Sequence, residues 1–164
     1  LVVVETKSAL AFIALGSNLG DRKRALEAAL HSLAQARGIA VQRVSSFHET
    51  EPVGGPPGQG MFLNAAAILE TTLNPFDLLR VLQNIEEQLG RVRDVRWDAR
   101  TLDLDLLFYD DQILNTPELT LPHPALATRP FVLEPLAEIA PEAVDPATGR
   151  TIRELLEQLA RRPT

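Results

Sequence analysis

Arg91-Val-Arg-Asp-Val-Arg-Trp-Asp-Ala-Arg-Thr-Leu-Asp-Leu-Asp-Leu-Leu-Phe-Tyr109 decides how this chain is read. It opens rich in arginine and becomes an apolar run carrying two aspartates. From Thr101 the pattern alternates. Thr101, Asp103, Asp105, Leu107 and Tyr109 fall on one side, and Leu102, Leu104, Leu106 and Phe108 on the other. A period of two is that of a half-buried strand. Two residues of strand put the Asp103 and Asp105 carboxylates on one face, roughly 6–7 Å apart. Bare, they repel, and Asp is depleted in strands. A divalent cation, or a pair of them, removes the conflict, and hard oxygen ligands suit magnesium. Arg91, Arg93, Arg96 and Arg100 then face the remaining negative charge, most simply a polyphosphate. Each feature has a plainer reading, a solvated edge strand for the carboxylates and a solvated loop for the arginines. Together they favour a metal–phosphate site.

Upstream, Asn74-Pro75 starts a helix, an N-cap followed by proline at the first helical position. Leu78, Leu79, Leu82, Ile85 and Leu89 make its buried stripe, Gly90 ends it, and Gln83 and Glu86 flank the stripe near the arginines. Met61 to Glu70 reads as a strand with Phe62 and Asn64 on one face. An aromatic and an amide so placed can hold a flat heterocycle, although a core Phe and a turn Asn is the plainer reading. Ile39 to Phe47 is another strand, without strict alternation. The Pro- and Gly-dense segment from Glu49 to Gly60 follows it, and a loop of that length in a small domain is often functional. Ala11 to Leu15 is a short buried strand. It runs into Gly16-Ser-Asn-Leu-Gly20-Asp21, where the Walker phosphate pattern is absent; the segment reads as a tight turn with Asn18 or Asp21 near a helix start, a supporting role near substrate being the alternative. The helix carries Leu26, Ala29, Leu30, Leu33 and Ala34 and is capped by Gly38.

The order strand–helix–strand–strand–helix–strand is the βαββαβ arrangement of a ferredoxin-like α+β fold, an antiparallel sheet with two helices on one face. C-terminal additions follow: a turn at Asp110–Asp111, a short strand around Ile113, the loop Leu121-Pro-His-Pro124, and a helix from Pro130 to about Ile139. The capping box Thr151-Ile-Arg-Glu154 opens a last helix to about Ala160. Residues 1–10 are left as an unassigned extension and residues 11–164 as one domain.

The bulk numbers fit that picture. The chain has 164 residues, 45% hydrophobic and 23% charged, an ordinary globular composition. A net charge of −6 argues against general nucleic-acid binding, whose footprint is basic. No cysteine is present, which excludes disulfides, thiolate metal sites and a cysteine nucleophile. No apolar run has the length of a membrane span, and Leu1 to Val4 lacks the features of a signal peptide. A cytoplasmic monomer is expected. His31 and His48 read as structural or exposed, whereas His123, flanked by prolines and six residues before Arg129, is a phosphate-contact candidate. Zinc is disfavoured without a His cluster, and Ser17 has no evident triad partners.

These residues resemble the 6-hydroxymethyl-7,8-dihydropterin pyrophosphokinase family of folate biosynthesis. The resemblance rests on Ala14-Leu-Gly-Ser-Asn-Leu19, Phe62-Leu-Asn-Ala65, Gly90-Arg-Val-Arg93, Arg96-Trp97, Arg100-Thr-Leu-Asp-Leu-Asp105, Leu121-Pro-His-Pro124 and Arg129-Pro-Phe131, in family order over nearly the whole chain. It implies transfer of pyrophosphate from ATP to the pterin hydroxymethyl oxygen, releasing AMP. By the same resemblance Asp103 and Asp105 hold two magnesium ions. Arg91, Arg93, Arg100, His123 and Arg129 bind phosphate or nucleotide, and the Trp97 loop closes over the site. Gln83, Glu86 and the Leu106 backbone lie near the nucleoside. Phe62 and Phe131 sandwich the pterin, while Thr50, Asn64 and the backbone around Pro52 and Val53 read its edge. Two positions depart from the family pattern: Asp98-Ala99 where Gly-Pro is more usual, and Ala125 where many members carry arginine. Two rivals stand beside this reading. One is a different two-metal enzyme, such as a nucleotidyltransferase or nuclease. The other is a ferredoxin-like regulatory or RNA-binding module, which leaves the Asp pair and the arginines unexplained.

Overall fold

The apolar run near the start of the chain forms the middle of the sheet, because its Ala, Ile and Leu side chains are covered on both faces. In the computed structural model, which describes residues 7–18, 20–51, 61–89 and 101–161, this strand is β1 (Ala9–Ser17). It is followed by α1 (Arg22–Gln35), β2 (Ile39–Val44), β3 (His48–Thr50), β4 (Phe62–Thr71), α2 (Pro75–Leu89) and β5 (Leu102–Tyr109). Then come the small hairpin β6 (Leu114–Asn115) and β7 (Thr120–Leu121), a 3-10 turn at Leu126–Thr128, α3 (Pro130–Ile139) and α4 (Ile152–Arg161). The strand order is β2–β4–β1–β5, with β3 also paired to β4 and every pairing antiparallel. β1 starts two residues before the expected Ala11. Among the described residues no helix is long and apolar enough to cross a membrane.

The caps match the sequence. The Asp77 amide donates to Asn74 Oδ1 at 2.9 Å. Thr151 and Glu154 exchange reciprocal bonds of 3.1 Å, a complete capping box. Asp21, not Asn18, caps α1, accepting from the Arg24 amide at 3.1 Å. Gly38 is left-handed (φ 84°), but α1 has already ended at its C-cap Ala36. Gly38 instead makes the turn into β2, where its carbonyl accepts from the Thr72 amide at 3.0 Å. The strand expected from Ile39 to Phe47 ends at Val44, and β3 lies beyond it, reaching Thr50 in the segment expected as loop. A bulge at Gln42 shifts the β2–β4 register, and at the break Ser45 Oγ accepts from the Ala66 amide at 2.8 Å.

α1 and α2 pack Leu26, Leu33, Leu78, Leu82 and Ile85 on one face of the sheet, against Ile13, Leu15, Ala67, Leu102, Leu104 and Leu106. Burying each such Leu contributes about 1.5–3 kcal/mol. The C-terminal helices cover the other face, where Val132, Leu133, Leu136, Ile152 and Leu155 cluster with Ala14, Ala66, Leu107 and Phe108. Pro135 lies inside α3 and is buried there rather than ending the helix. The simple alternation of β5 holds only to Leu107. There the pairing with β1 slips by one residue, Ile13 opposite Leu106 but Phe12 opposite Phe108. Phe108 and Tyr109 therefore exchange sides. Phe108 stacks edge-on with Phe12, centroids 5.7 Å apart, and the Tyr109 hydroxyl reaches the helical side to donate to the Leu73 carbonyl at 2.6 Å.

Candidate active site

The C-terminal helices shield only part of their face. Beyond Ala14 and Ala66 the strands carry residues too small or too polar to seal it, and a cavity of about 520 Å³ opens. Gly16, Thr50, Glu51, Phe62 and Asn64 line one part, Asp103 and Asp105 another, and the start of α3 from Arg129 to Val132 forms the opposing wall. Phe62, Asn64, Asp103, Asp105, Arg129 and Phe131 thus meet, as does Thr50.

The ring-contact end is built by β3 and β4. Thr50 pairs directly with Phe62, and His48 with Asn64. Asn64, 7% exposed, donates from Nδ2 to Thr50 Oγ1 at 2.5 Å. That bond fixes the amide so that Oδ1 looks across β1, where an added Gly16 Cβ would stand 3.0 Å from it. The end therefore offers an oriented acceptor beside an aromatic ring, with Arg129 stacked on Phe131 opposite (guanidinium carbon 5.8 Å from the centroid).

At the other end Asp103 and Asp105 are both half-buried on β5. The Thr101 hydroxyl donates to Asp103 Oδ2 at 3.3 Å. Thr101 is itself held by Asn18, whose Oδ1 accepts from the Thr101 amide at 2.7 Å. The turn after β1 thus fixes the start of β5, so Asn18 serves the strand bearing the carboxylates rather than the start of α1. On the outer edge of β5, Glu86 Oε2 accepts from the Leu104 amide at 2.9 Å, while Gln83 is exposed on α2. Leu106 is buried on the same edge strand.

His123 is anchored through its amide to the Leu107 carbonyl at 2.9 Å, and its Nδ1 accepts from the Ala125 amide at 3.1 Å. Burial pulls its pKa below the ordinary value, Asp105 works against that, and Arg129 adds to it. A neutral ring with Nδ1 occupied carries its proton on Nε2. Ala125 contributes its backbone, its carbonyl accepting from the Thr128 hydroxyl at 3.1 Å.

Among the described residues no group of three or more His, Cys, Asp or Glu side chains is placed to hold a metal ion. Two carboxylates on one strand suit a hard cation that keeps water and polyphosphate oxygens as its other ligands, so the donor set fits magnesium. Arg91, Arg93, Trp97, Arg100, Pro52 and Val53 lie outside the described residues. The sequence left the turn from Gly16 to Asp21 a supporting role near substrate, and of it Gly16 lines the cavity, as glycine inside a strand signals close approach. Sequence reasoning overlooked Arg22, which has no sequence signal. Arg22 donates from Nη1 to the Met61 carbonyl at 3.0 Å and from Nη2 to Glu49 at 3.2 Å, bracing the residues just before Phe62 and Thr50.

A cavity joining a ring-contact end to a paired-carboxylate end is arranged for metal-assisted group transfer to a flat acceptor. The family model for 7,8-dihydro-6-hydroxymethylpterin-pyrophosphokinase matches residues 12–141. A Bacillus subtilis protein named 2-amino-4-hydroxy-6-hydroxymethyldihydropteridine pyrophosphokinase is 48% identical over 140 residues, covering 85% of this chain and 83% of that one. A Pseudomonas aeruginosa protein of the same name is 44% identical over 145 residues, 88% of each. The crystal structure of Plasmodium falciparum HPPK-DHPS with pteroate shares the fold at TM-score 0.73 and 16% identity, covering 96% of this chain but 43% of that longer one. The chain belongs to the 6-hydroxymethyl-7,8-dihydropterin pyrophosphokinase family.

Proposed function

We propose that this enzyme transfers pyrophosphate from ATP to 6-hydroxymethyl-7,8-dihydropterin, giving AMP and the pterin diphosphate, a step of tetrahydrofolate biosynthesis. The observation that carries the reading is a single cavity lined both by Thr50, Phe62, Asn64 and Phe131 and by Asp103 and Asp105. The first set suits a flat hydrogen-bonding heterocycle, the second a metal-bound polyphosphate. The fold is then the ferredoxin-like βαββαβ core with additions on its second face. Residues 11–164 act as one domain, and the enzyme works as a cytoplasmic monomer.

In this reading Phe62 and Phe131 hold the ring between them. Asn64 Oδ1 accepts from a ring N–H, and Thr50 with the backbone near Pro52 and Val53 completes the edge. Asp103 and Asp105 hold two magnesium ions, which neutralise the phosphate charge when bound. Arg91, Arg93, Arg100, His123 and Arg129 contact phosphate oxygens and stabilise the charge that develops there. Gln83, Glu86 and the Leu106 backbone border the nucleoside, and the Trp97 loop excludes water. The pterin oxygen forms its bond to the β-phosphorus as the bond from that phosphorus to the α–β bridging oxygen breaks. The bridging oxygen leaves with AMP, and the proton of the pterin hydroxyl passes to water or to a phosphate oxygen. Holding the two oxygens in line supplies most of the acceleration, and no side chain is assigned as an obligatory base.

The test is nucleotide analysis after mixing the protein with Mg-ATP and the pterin. AMP formed only with pterin, together with a diphosphorylated pterin, is expected. ADP indicates a monophosphoryl kinase instead. No turnover by folded, ATP-binding protein shifts the reading to another two-metal enzyme.

A further inference from the structure

Resting on the proposed pterin reading, we propose that Gly16 is a specificity-determining residue. The side chain it lacks leaves the lane along which the substrate's one-carbon arm passes from the ring end of the cavity to the carboxylates. The sheet itself then measures the arm. Gly16 pairs with Asn64 on one side and with Asp103 on the other, so the three form one row across β4, β1 and β5. Two strand spacings separate the outer members by about 9–10 Å. A fused bicyclic ring with a single carbon between ring and oxygen bridges such a gap. A longer arm carries the oxygen past the carboxylates, and the ring without its arm brings no acceptor oxygen to them.

The backbone gives no reason of its own for glycine. Among the described residues the left-handed glycines are Gly38 and Gly149, and Gly16 is not one of them. It lies inside a central strand, where glycine weakens the fold and lacks a side chain to pack. What remains is space. A Cβ at this position would meet Asn64 Oδ1 at 3.0 Å and Phe62 Cδ1 at 3.9 Å. It would rise into the cavity that Asn64 and Asp103 share. The next row is also small at its centre, with Ala14 between Ala66 and Asp105, so the lane is bordered by a methyl group rather than a bulky side chain.

The experiment compares wild type with Gly16→Ala by pterin fluorescence and calorimetry, in the presence of magnesium and an unreactive ATP analogue. The ligands are the hydroxymethyl dihydropterin and the same ring without the arm. In Gly16→Ala the hydroxymethyl ligand is expected to lose at least tenfold more affinity than the armless ring, which shares only the loss transmitted through Asn64 Oδ1. Affinity for the nucleotide analogue alone should stay within twofold. Equal losses for both ligands would mean that the methyl acts only through Asn64, and the lane is refuted. No loss for either refutes it equally. Wild-type protein alone supplies the second measurement: a hydroxyethyl arm should bind but turn over at least 100-fold more slowly, and comparable turnover overturns the ruler. If wild type binds none of these pterins, the pterin reading falls, and the role of Gly16 with it.

Discussion

Arg22 sits at the start of α1, outside the cavity, yet its guanidinium joins the two strands that form the ring-contact end. Nη1 donates to the Met61 carbonyl and Nη2 to Glu49, each the neighbour of a cavity residue, and those residues, Thr50 and Phe62, face each other in the sheet. Arg22→Ala removes both bonds. The carbonyl bond is partly buried and its donor is charged, so it contributes about 1.5 kcal/mol. The ion pair is exposed, 30% for Arg22 and 53% for Glu49, and solvent screening leaves it a few tenths of a kcal/mol at most. The sum, about 2 kcal/mol, bounds the loss in pterin binding at roughly thirtyfold. Steady-state kinetics should show the pterin KM raised about five- to thirtyfold, with kcat and the ATP KM within twofold. Arg22→Lys, which keeps the charge but not the fork, should fall between. Glu49→Gln should change little. The reasoning is refuted if Arg22→Ala leaves the pterin KM unchanged, or if Glu49→Gln does equal damage.

Asp103→Ala or Asp105→Ala should each lower turnover by about a thousandfold or more while near-UV circular dichroism stays native, since the loss is of phosphate-charge neutralisation. Wild-type-like activity in either defeats the metal assignment. Tyr109→Phe removes the bond to the Leu73 carbonyl and should cost about 1 kcal/mol, or about 2–4 °C in Tm; an unchanged Tm would contradict the placement of Tyr109 beyond the bulge. Glu138 accepts from the Ser46 hydroxyl and amide and from His48, which brings its pKa down to about 2. A depressed carboxylate pKa stabilises the fold above its unfolded value near 4.5 and loses that contribution as pH falls toward 2. Because Glu138 is 38% exposed, Glu138→Gln should cost no more than about 1 kcal/mol at pH 7. It should also flatten the urea midpoint between pH 5 and 2.5, and an equally steep acid dependence in the variant would exclude Glu138 as its source.

Much of the architecture was legible because it is written in local chemistry. Asn74 and the Thr151–Glu154 pair announce helix starts through short-range bonds. The alternation from Thr101 to Leu107 places Asp103 and Asp105 on the cavity face and Leu102, Leu104 and Leu106 beneath the helices. What could not be read depends on partners distant in sequence. The slips at Gln42 and Leu107 are settled by how β4 and β1 pair with their neighbours, and nothing in Leu-Leu-Phe-Tyr marks where one residue is left over. The covering of the second face by α3 and α4 was hidden for a similar reason. Phe12, Ala14, Ala66 and Ile68 do not disclose whether helix or solvent meets them. Arg22 looked like any charged residue in a first helical turn.

The slip at Leu107 has a mechanical consequence. It leaves the Leu107 carbonyl bonded to His123, so the histidine is mounted on the same strand that carries Asp105 two residues earlier. A small slide or twist of β5 against β1 displaces the carboxylate and the imidazole together, as common-mode motion, and preserves their spacing. The opposing wall, Arg129 and Phe131, belongs to a separate mount on α3. Breathing of the enzyme should therefore change the distance from that wall to β5 while sparing the spacing of Asp105 and His123.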